Sequence, residues 1–427
     1  MKTSELPPGN CAYWLGLDFG TSGARAVTID QNDAIVAEAA AAYDIGDAAQ
    51  WPDALAELIS ALPATVRAGV NGLAIDGTSA TLLLHDSEGH ALGDVLRYDD
   101  ARAAAEAARI AQLAPPNDAA ASATSALAKA MWLARQPVAA QASGVLDQAA
   151  WLAAQLTGVL GVTDYHNALK LGCDMATLAY PSWMATLDVV PLLPRVVAPG
   201  TPLGAVQSTL ALRLGLPANV QVRAGTTDSI AAFMAAGVSR PGQAVTSLGS
   251  TLVLKLLSDI RVERADFGVY SHRYGKRWLA GGASNSGGAV LRQFFDDATL
   301  MALSARIDPT QASGLDYYPL PKNGERFPVN DPAMTPRMTP RPADDALFLH
   351  GLLEGIARIE ARGYALLAEL GANPLVEAFT AGGGAGNTTW QTLRQRLLGV
   401  PVRAAAHTEA AYGAALLARY GPDLMNC

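Results

Sequence analysis

Two stretches of this chain share one layout. LGLDFGTSGARAVTID at 15–30 and GQAVTSLGSTLVLKLLS at 242–258 each run from an apolar segment through glycine and hydroxyl residues into a second apolar segment. β-Branched and aromatic residues bracketed by glycine read as a strand, a tight turn and a returning strand. A chain that opens each half on the same hairpin is constrained to a duplicated architecture. AIVAEAAAAY (34–43) adds a third strand to the first hairpin, so an antiparallel meander is expected at the start. Residues 52–68, with Pro52 near their beginning, read as a helix, and GLAIDGTSATLLLHD (72–86) as two strands about a second Gly-Thr-Ser turn. The Ala-rich stretch 99–158 has helical spacing throughout.

VRAGTTDSIAAFMAAG (222–237) predicts a strand, a small-residue turn and a helix opening near Thr227 or Asp228. The Pro-rich stretch 318–342 has no periodicity, and connections of that length are usually functional or mobile. A helix over 346–370, a Gly-rich turn in AGGGAGNTTW (381–390) with a helix after it, and an amphipathic helix at 408–421 complete the chain.

With 427 residues, two or three domains are expected. Only 6% of residues are aromatic, which with abundant Ala, Leu and Val favours helices packed on sheets over a β-sandwich. There are 31 basic against 39 acidic side chains, a net charge of −8, which argues against non-specific binding to nucleic acid or an anionic membrane. Cys11, Cys173 and Cys427 are far apart and form no CxxC, so neither a zinc knuckle nor a disulfide framework is expected, and a reducing cytoplasm fits. MKTSELPPGN lacks the apolar core of a signal peptide, and no run approaches the roughly 18 apolar residues of a membrane span. Six histidines form no HExxH.

The glycine–hydroxyl turns carry the chemistry. Converging backbone N–H groups and Ser/Thr hydroxyls hold phosphates, and glycine lets the main chain come close. Gly20-Thr21-Ser22-Gly23 and Gly249-Ser250-Thr251 are candidates for gripping a polyphosphate, though either one read singly is also an ordinary hairpin turn. Neither GxxxxGK[ST] nor a GxGxxG fingerprint after a strand is present. Asp18 lies in an apolar strand, where a carboxylate needs a cation or donors, and a magnesium ion would be such a partner. Asp228 reads either as the cap of the helix behind it or as a base taking a proton from an attacking alcohol. Asp76, before Gly77-Thr78-Ser79, reads equally as a substrate contact or a turn stabiliser.

Together these segments resemble the FGGY carbohydrate kinases of the actin–hexokinase–Hsp70 superfamily over nearly the whole chain. LGLDFGTSGARAVTID resembles the first phosphate motif, TDYHNALKLGCD (163–174) the TDxxNA segment, and AGTTDS (224–229) the catalytic-aspartate motif. SLGSTLVLK (247–255) resembles the second phosphate motif and AGGGAGNTTWQTL (381–393) the adenosine motif. IDGTSAT, RYDDARA (97–103) and GERFPVNDPAMTPRMTPRP (324–342) are similar to a shorter D-ribulokinase-like group whose members have also been labelled xylulose kinase. The NQR-type contact motif of glycerol kinases is missing.

The resemblance implies an α/β fold of two RNase-H-like (actin-like ATPase) domains with an interdomain cleft. Residues 12–235 plus 409–427 would bind the sugar and 236–408 the nucleotide. It implies Asp228 as general base, Asp18 as the carboxylate associated with Mg2+, and Asp18, Thr78, Ser79, Asp100 and Asp228 around the sugar. Thr21, Ser22, Gly249, Ser250 and Thr251 would meet the phosphates of ATP. Gly383, Gly384 and Asn387 would line the adenosine pocket, with Ser284-Asn285-Ser286-Gly287 flanking the nucleotide. Asn167 and Lys170 either serve the site or tie the helical region to the sheet. The implied reaction converts D-ribulose to D-ribulose 5-phosphate at the expense of ATP. D-Xylulose is the second choice, with another ketose or polyol open. Its partners would be a ketopentose and ATP, with no nucleic acid or membrane, and its state monomer or homodimer. A catalytically weak sugar-binding sensor is the alternative of another class. A chaperone-like or cytoskeletal ATPase would need a peptide-binding domain or filament insertion that the chain does not show.

Overall fold

The computed structural model describes residues 12–116 and 118–426, so the leading MKTSELPPGN, Cys11 and Cys427 lie outside the described residues. The chain forms two units. One runs through Ala235 and takes back Glu409–Leu424; the other holds Ala236–Thr408 and the last described residues.

In the first unit, β1 (Tyr13–Gly20), β2 (Gly23–Ile29) and β3 (Ile35–Ala41) make the expected antiparallel meander, and Gly20 pairs with Gly23 to close the first turn. The helix Trp51–Ala61 follows, then a separate short helix Ala64–Arg67. One continuous helix over 52–68 is ruled out by Pro63, which has no N–H and collides with the carbonyl four residues back. β4 (Val70–Gly77) runs parallel to β1. β5 (Leu82–His85), β6 (Ala91–Leu96) and β7 (Gly144–Asp147) form a small antiparallel sheet. β7 interrupts the stretch read as wholly helical: Val145 and Leu146 take the free edge of β5 between the helices Ala126–Leu133 and Gln148–Thr157. β8 (Val162–Asp164) pairs with β9 (Arg195–Val197), and β10 (Pro202–Ala205) and β11 (Gln221–Thr227) complete the main sheet in the order β10-β11-β4-β1-β2-β3.

The last helix, Ala410–Tyr420, belongs to this unit and departs from the amphipathic expectation. Ala411 through Ala418 are buried without a break, the pattern of a helix enclosed on all sides. Small residues make this possible. A Cβ on Gly413 would sit 1.8 Å from the Ala231 carbonyl oxygen, and one on Gly16 of β1 would sit 1.9 Å from that of Ala411.

The second unit repeats the plan with β12 (Gln243–Leu248), β13 (Leu252–Ser258), β14 (Tyr270–Tyr274), β15 (Arg277–Ser284), β16 (Glu377–Ala381) and β17 (Val402–Ala404). The order is β14-β15-β13-β12-β16-β17, with β12, β13 and β15 antiparallel and β16 and β17 parallel to β12. The helix Asp345–Glu369 packs Phe348, Leu352 and Ile356 into the core beside Leu254, Phe327 and Trp390. A buried guanidinium ties this unit together: Arg394 donates to both oxygens of Glu360 at 2.6 and 2.7 Å and to the Thr380 hydroxyl at 2.6 Å.

Candidate active site

The register of the first sheet gathers the acidic residues. Asp18 on β1 stands directly beside Asp76 on β4, and Asp76 beside Thr226 on β11. All three are near the carboxyl ends of parallel strands, where open α/β sheets bind ligands. β11 runs straight into the helix Asp228–Ala235, so Asp228 is its first residue and not the residue ahead of it; its Oδ1 accepts the Ser229 N–H at 2.6 Å. Asp76 is fully buried and Asp18 nearly so. Among the described residues no N–H or O–H group of the chain reaches Asp18 Oδ1 or either oxygen of Asp76. Arg25 approaches Asp18 Oδ2 only at 3.8 Å.

Burial therefore pushes Asp76 well above the usual carboxylate range, and the charges of Asp18 and Asp228 add to it. Burial likewise raises Asp18, to about 6, with Asp228 adding and Asp76 and Arg25 opposing. Side by side, the pair holds a proton or a cation. Hard oxygen donors without a donor partner fit magnesium, which is usually held by one or two carboxylates together with waters and substrate phosphates. The residues present thus fit the ion, with Asp18 and Asp76 as its carboxylates.

Thr78 and Ser79 follow β4 in a turn that is held from behind. The buried Gln148 accepts the Thr78 N–H at 3.4 Å and hydroxyl at 3.3 Å, and donates to the Tyr43 hydroxyl at 3.2 Å. Tyr43 in turn donates to the Gly20 carbonyl at 2.7 Å, so one chain of bonds joins the Gly20–Gly23 turn to the Thr78 turn. Thr21 and Ser22 at the tip of the first turn are exposed. The Lys129 ammonium, also buried, donates to the carbonyls of Ala80, Arg97 and Tyr98 at 2.9, 2.5 and 3.1 Å. It fastens the Thr78–Thr81 turn to the segment that carries Asp100, whose carboxylate is paired with Arg102. Gln148, Tyr43 and Lys129 carried no local signal in the sequence; each acts at long range.

Asp164 caps the turn Tyr165–Ala168 through the N–H groups of His166 and Asn167, and accepts from the Asn167 amide at 2.7 Å. Asn167 is thereby committed to the scaffold. Burial and the neighbouring Asp147 push Asp164 up to about 7. The His166 ring lies 2.7 Å from the Thr226 hydroxyl, two residues before Asp228. Lys170 is different: its ammonium has no hydrogen bond among the described residues, burial holds it below the ordinary lysine range, and the Asp228 charge pulls the other way.

The second unit contains a cavity of about 670 Å³ lined by Gly249, Ser250, Arg292, Gly383, Gly384 and Asn387, with Leu300 and Met301 among its apolar walls. These glycines and Ser250 come from the turns after β12 and β16, again at the carboxyl ends of parallel strands. Thr251 is not in the wall. Asn387 is largely spent on structure, accepting the Trp390 N–H and donating to Ser304 at 2.9 Å each. Arg292, which the sequence did not single out, donates to the Ser250 hydroxyl at 2.7 Å.

Residues 13–235 match the N-terminal domain of the FGGY family of carbohydrate kinases, and residues 244–421 match its C-terminal domain. The chain belongs to the FGGY family. Xylulose kinase of Bacillus subtilis (strain 168) is 24% identical across 96% of this chain and 88% of that protein. L-fuculokinase of Salmonella typhi is 26% identical across 95% and 92%. The solved xylulose kinase of Brucella ovis matches with a TM-score of 0.84 at 24% identity, covering 96% of this chain and 90% of that one. This FGGY chain thus has the two-domain, actin-like ATPase fold and is a carbohydrate kinase. Among its described residues no helix is long and apolar enough to cross a membrane.

Proposed function

We propose that this kinase phosphorylates a free ketopentose at its terminal hydroxyl with ATP in the cytoplasm, D-ribulose first and D-xylulose as the alternative. The observation that carries the reading is the convergence of Asp18, Asp76 and Asp228 at the ends of three adjacent parallel strands. A ketopentose is supported by the relatives named xylulose kinase; D-ribulose rests on the IDGTSAT, RYDDARA and GERFP segments.

The sugar would lie on the first unit, bounded by Thr78, Ser79 and Asp100, and the nucleotide on the second, in the cavity behind Gly249 and Ser250. Asp228 accepts the proton of the attacking hydroxyl as the hydroxyl oxygen bonds to the γ-phosphorus and the bond from that phosphorus to the β-phosphate oxygen breaks, releasing ADP. Lys170 offers the substrate a cation that has no hydrogen bond among the described residues. Gly249 and Ser250, with Arg292, receive the phosphates. Asp18 and Asp76 would hold Mg2+, which neutralises phosphate charge when bound.

The test is ADP release from MgATP with D-ribulose, D-xylulose, L-ribulose, ribitol, xylitol and glycerol, run on the wild type and on Asp228→Ala. D-Ribulose is expected to give the highest kcat/KM. The variant is expected to lose turnover by about 10³-fold with nucleotide affinity retained. A variant that keeps a large share of turnover sinks the base assignment; a preference for D-xylulose keeps the mechanism and moves the substrate; sugar binding without turnover makes the protein a sensor.

A further inference from the structure

We infer that Glu325, in the Pro-rich segment, is a positioning residue for the nucleotide's phosphates. This rests on the reading of Gly249–Thr251 as a phosphate-binding turn. Glu325 is 2% exposed and its carboxylate takes four donors. Oε2 accepts the hydroxyls of Ser284 at 2.6 Å and Tyr318 at 3.1 Å; Oε1 accepts the N–H groups of Asn285 at 2.7 Å and Arg326 at 2.9 Å. The Asn285 amide donates to the Gly324 carbonyl at 2.9 Å, and the Ser286 hydroxyl to that of Pro319 at 2.6 Å. Three consecutive residues of the Ser284–Gly287 turn are thus fastened to the buried residues Pro319, Gly324 and Glu325 of one segment. An acceptor-only group with four donors fixes such a turn more tightly than a neutral side chain would.

The same turn is pressed against the phosphate turn on its other side. The Leu252 N–H donates to the Ser286 carbonyl at 2.7 Å, and the Gly288 and Ala289 N–H groups donate to the carbonyls of Gly249 and Ser250 at 2.9 and 3.1 Å. Gly287 has φ +142°, and a Cβ there would lie 2.7 Å from the Thr251 carbonyl carbon and 2.8 Å from the Ser250 oxygen. No slack separates the two turns. The carbonyls of Gly249 and Ser250 are drawn back into the protein, as a turn that receives an anion requires. Loosening Glu325 therefore loosens the turn that meets the phosphates and leaves the apolar wall at Leu300 and Met301 in place.

The test uses the full-length protein with Glu325→Ala and Glu325→Gln. Kinetics are run against ATP and against the best sugar, and binding is measured by calorimetry with a non-hydrolysable ATP analogue and with adenosine. Glu325→Ala is expected to raise KM for ATP about tenfold and weaken the analogue in step, with adenosine affinity and the sugar KM within about twofold. Glu325→Gln, which keeps one acceptor, should recover most of the loss. Equal losses for analogue and adenosine, or no loss, overturn the proposal. Should the alanine variant fail to fold, Ser284→Ala removes one of the four bonds and is expected to move the analogue alone by about threefold; an unchanged analogue affinity overturns the proposal just as well. A Ser250→Ala/Thr251→Val double variant separates the two claims. If it leaves analogue affinity untouched, the phosphate reading of the turn fails, whatever Glu325 does.

Discussion

β1 and β4 place Asp18 beside Asp76; at the matching register, β12 and β16 place Ser247 beside Ala381. The two sheets share a plan of three antiparallel strands followed by two parallel ones, yet the same position is charged and short of donors in one and neutral in the other. The second unit does bury charge, one residue earlier. There Thr246 donates to Glu360 at 2.6 Å, and Arg394 takes both oxygens of that glutamate. The Glu360–Arg394 charge is paired and hydrogen-bonded within the unit, whereas the first unit leaves Asp18 Oδ1 and both oxygens of Asp76 without a donor among the described residues. Buried charge that is complete holds a fold together; buried charge that is incomplete marks where a ligand is handled.

Breaking the complete pair should have the largest effect on folding. Arg394→Met leaves Glu360 buried without a counter-charge and is expected to destabilise the second unit by about 3–5 kcal/mol. Calorimetry should then show that unit melting earlier, as a separate transition. A loss below about 1 kcal/mol would mean that Glu360 simply takes up a proton, and the distinction between the units would weaken.

Substitution in the first unit should go the other way. Asp76→Asn supplies an amide donor for the orphaned Asp18 oxygen and removes a like charge. We expect a gain of about 1–3 kcal/mol without added divalent cation, seen as a higher Tm, together with a loss of turnover of tenfold or more. A lower Tm would show that Asp76 serves the fold. A smaller effect is expected from Gln148→Leu, which cuts the bond chain between Thr78 and Gly20. KM for the sugar should rise about fivefold with KM for ATP little changed, the pattern of lost positioning on one side only.

Asp18 and Asp228 stood out as candidates because each sits at a strand end beside small residues, although Asp228 read equally as the cap of the helix behind it. The pairing of Asp18 with Asp76 was not, since parallel register between strands about 50 residues apart leaves no local trace. The meander and both hairpins followed from alternation and glycine brackets. β7 did not: alanine on either side made Val145 and Leu146 look helical, and only the open edge of β5 decides otherwise. The last helix misled for a related reason. Alanine and glycine are small enough to be buried on every face, so its polarity pattern said little about its surroundings. The Pro-rich segment lacks periodicity because its order comes from Glu325 and Phe327 packing at long range.

Lys129 gives the smallest and most specific test, because it is a buried charge of the first unit that is satisfied by carbonyls alone. Burial lowers it to about 8, Lys170 adds to the fall, and Asp100 and Asp99 oppose it. In the unfolded chain a lysine titrates near 10.4. Between these values the unfolded state binds more protons than the folded one, so stability rises with pH through that window, and the penalty of the buried ammonium is fully present below about 8. Lys129→Met removes the titration. The wild type should therefore gain Tm on the variant between pH 7.5 and 9.5, whatever their offset at neutral pH. A constant offset across that range would mean that the folded lysine keeps its proton, held by the three carbonyls more firmly than burial can expel it.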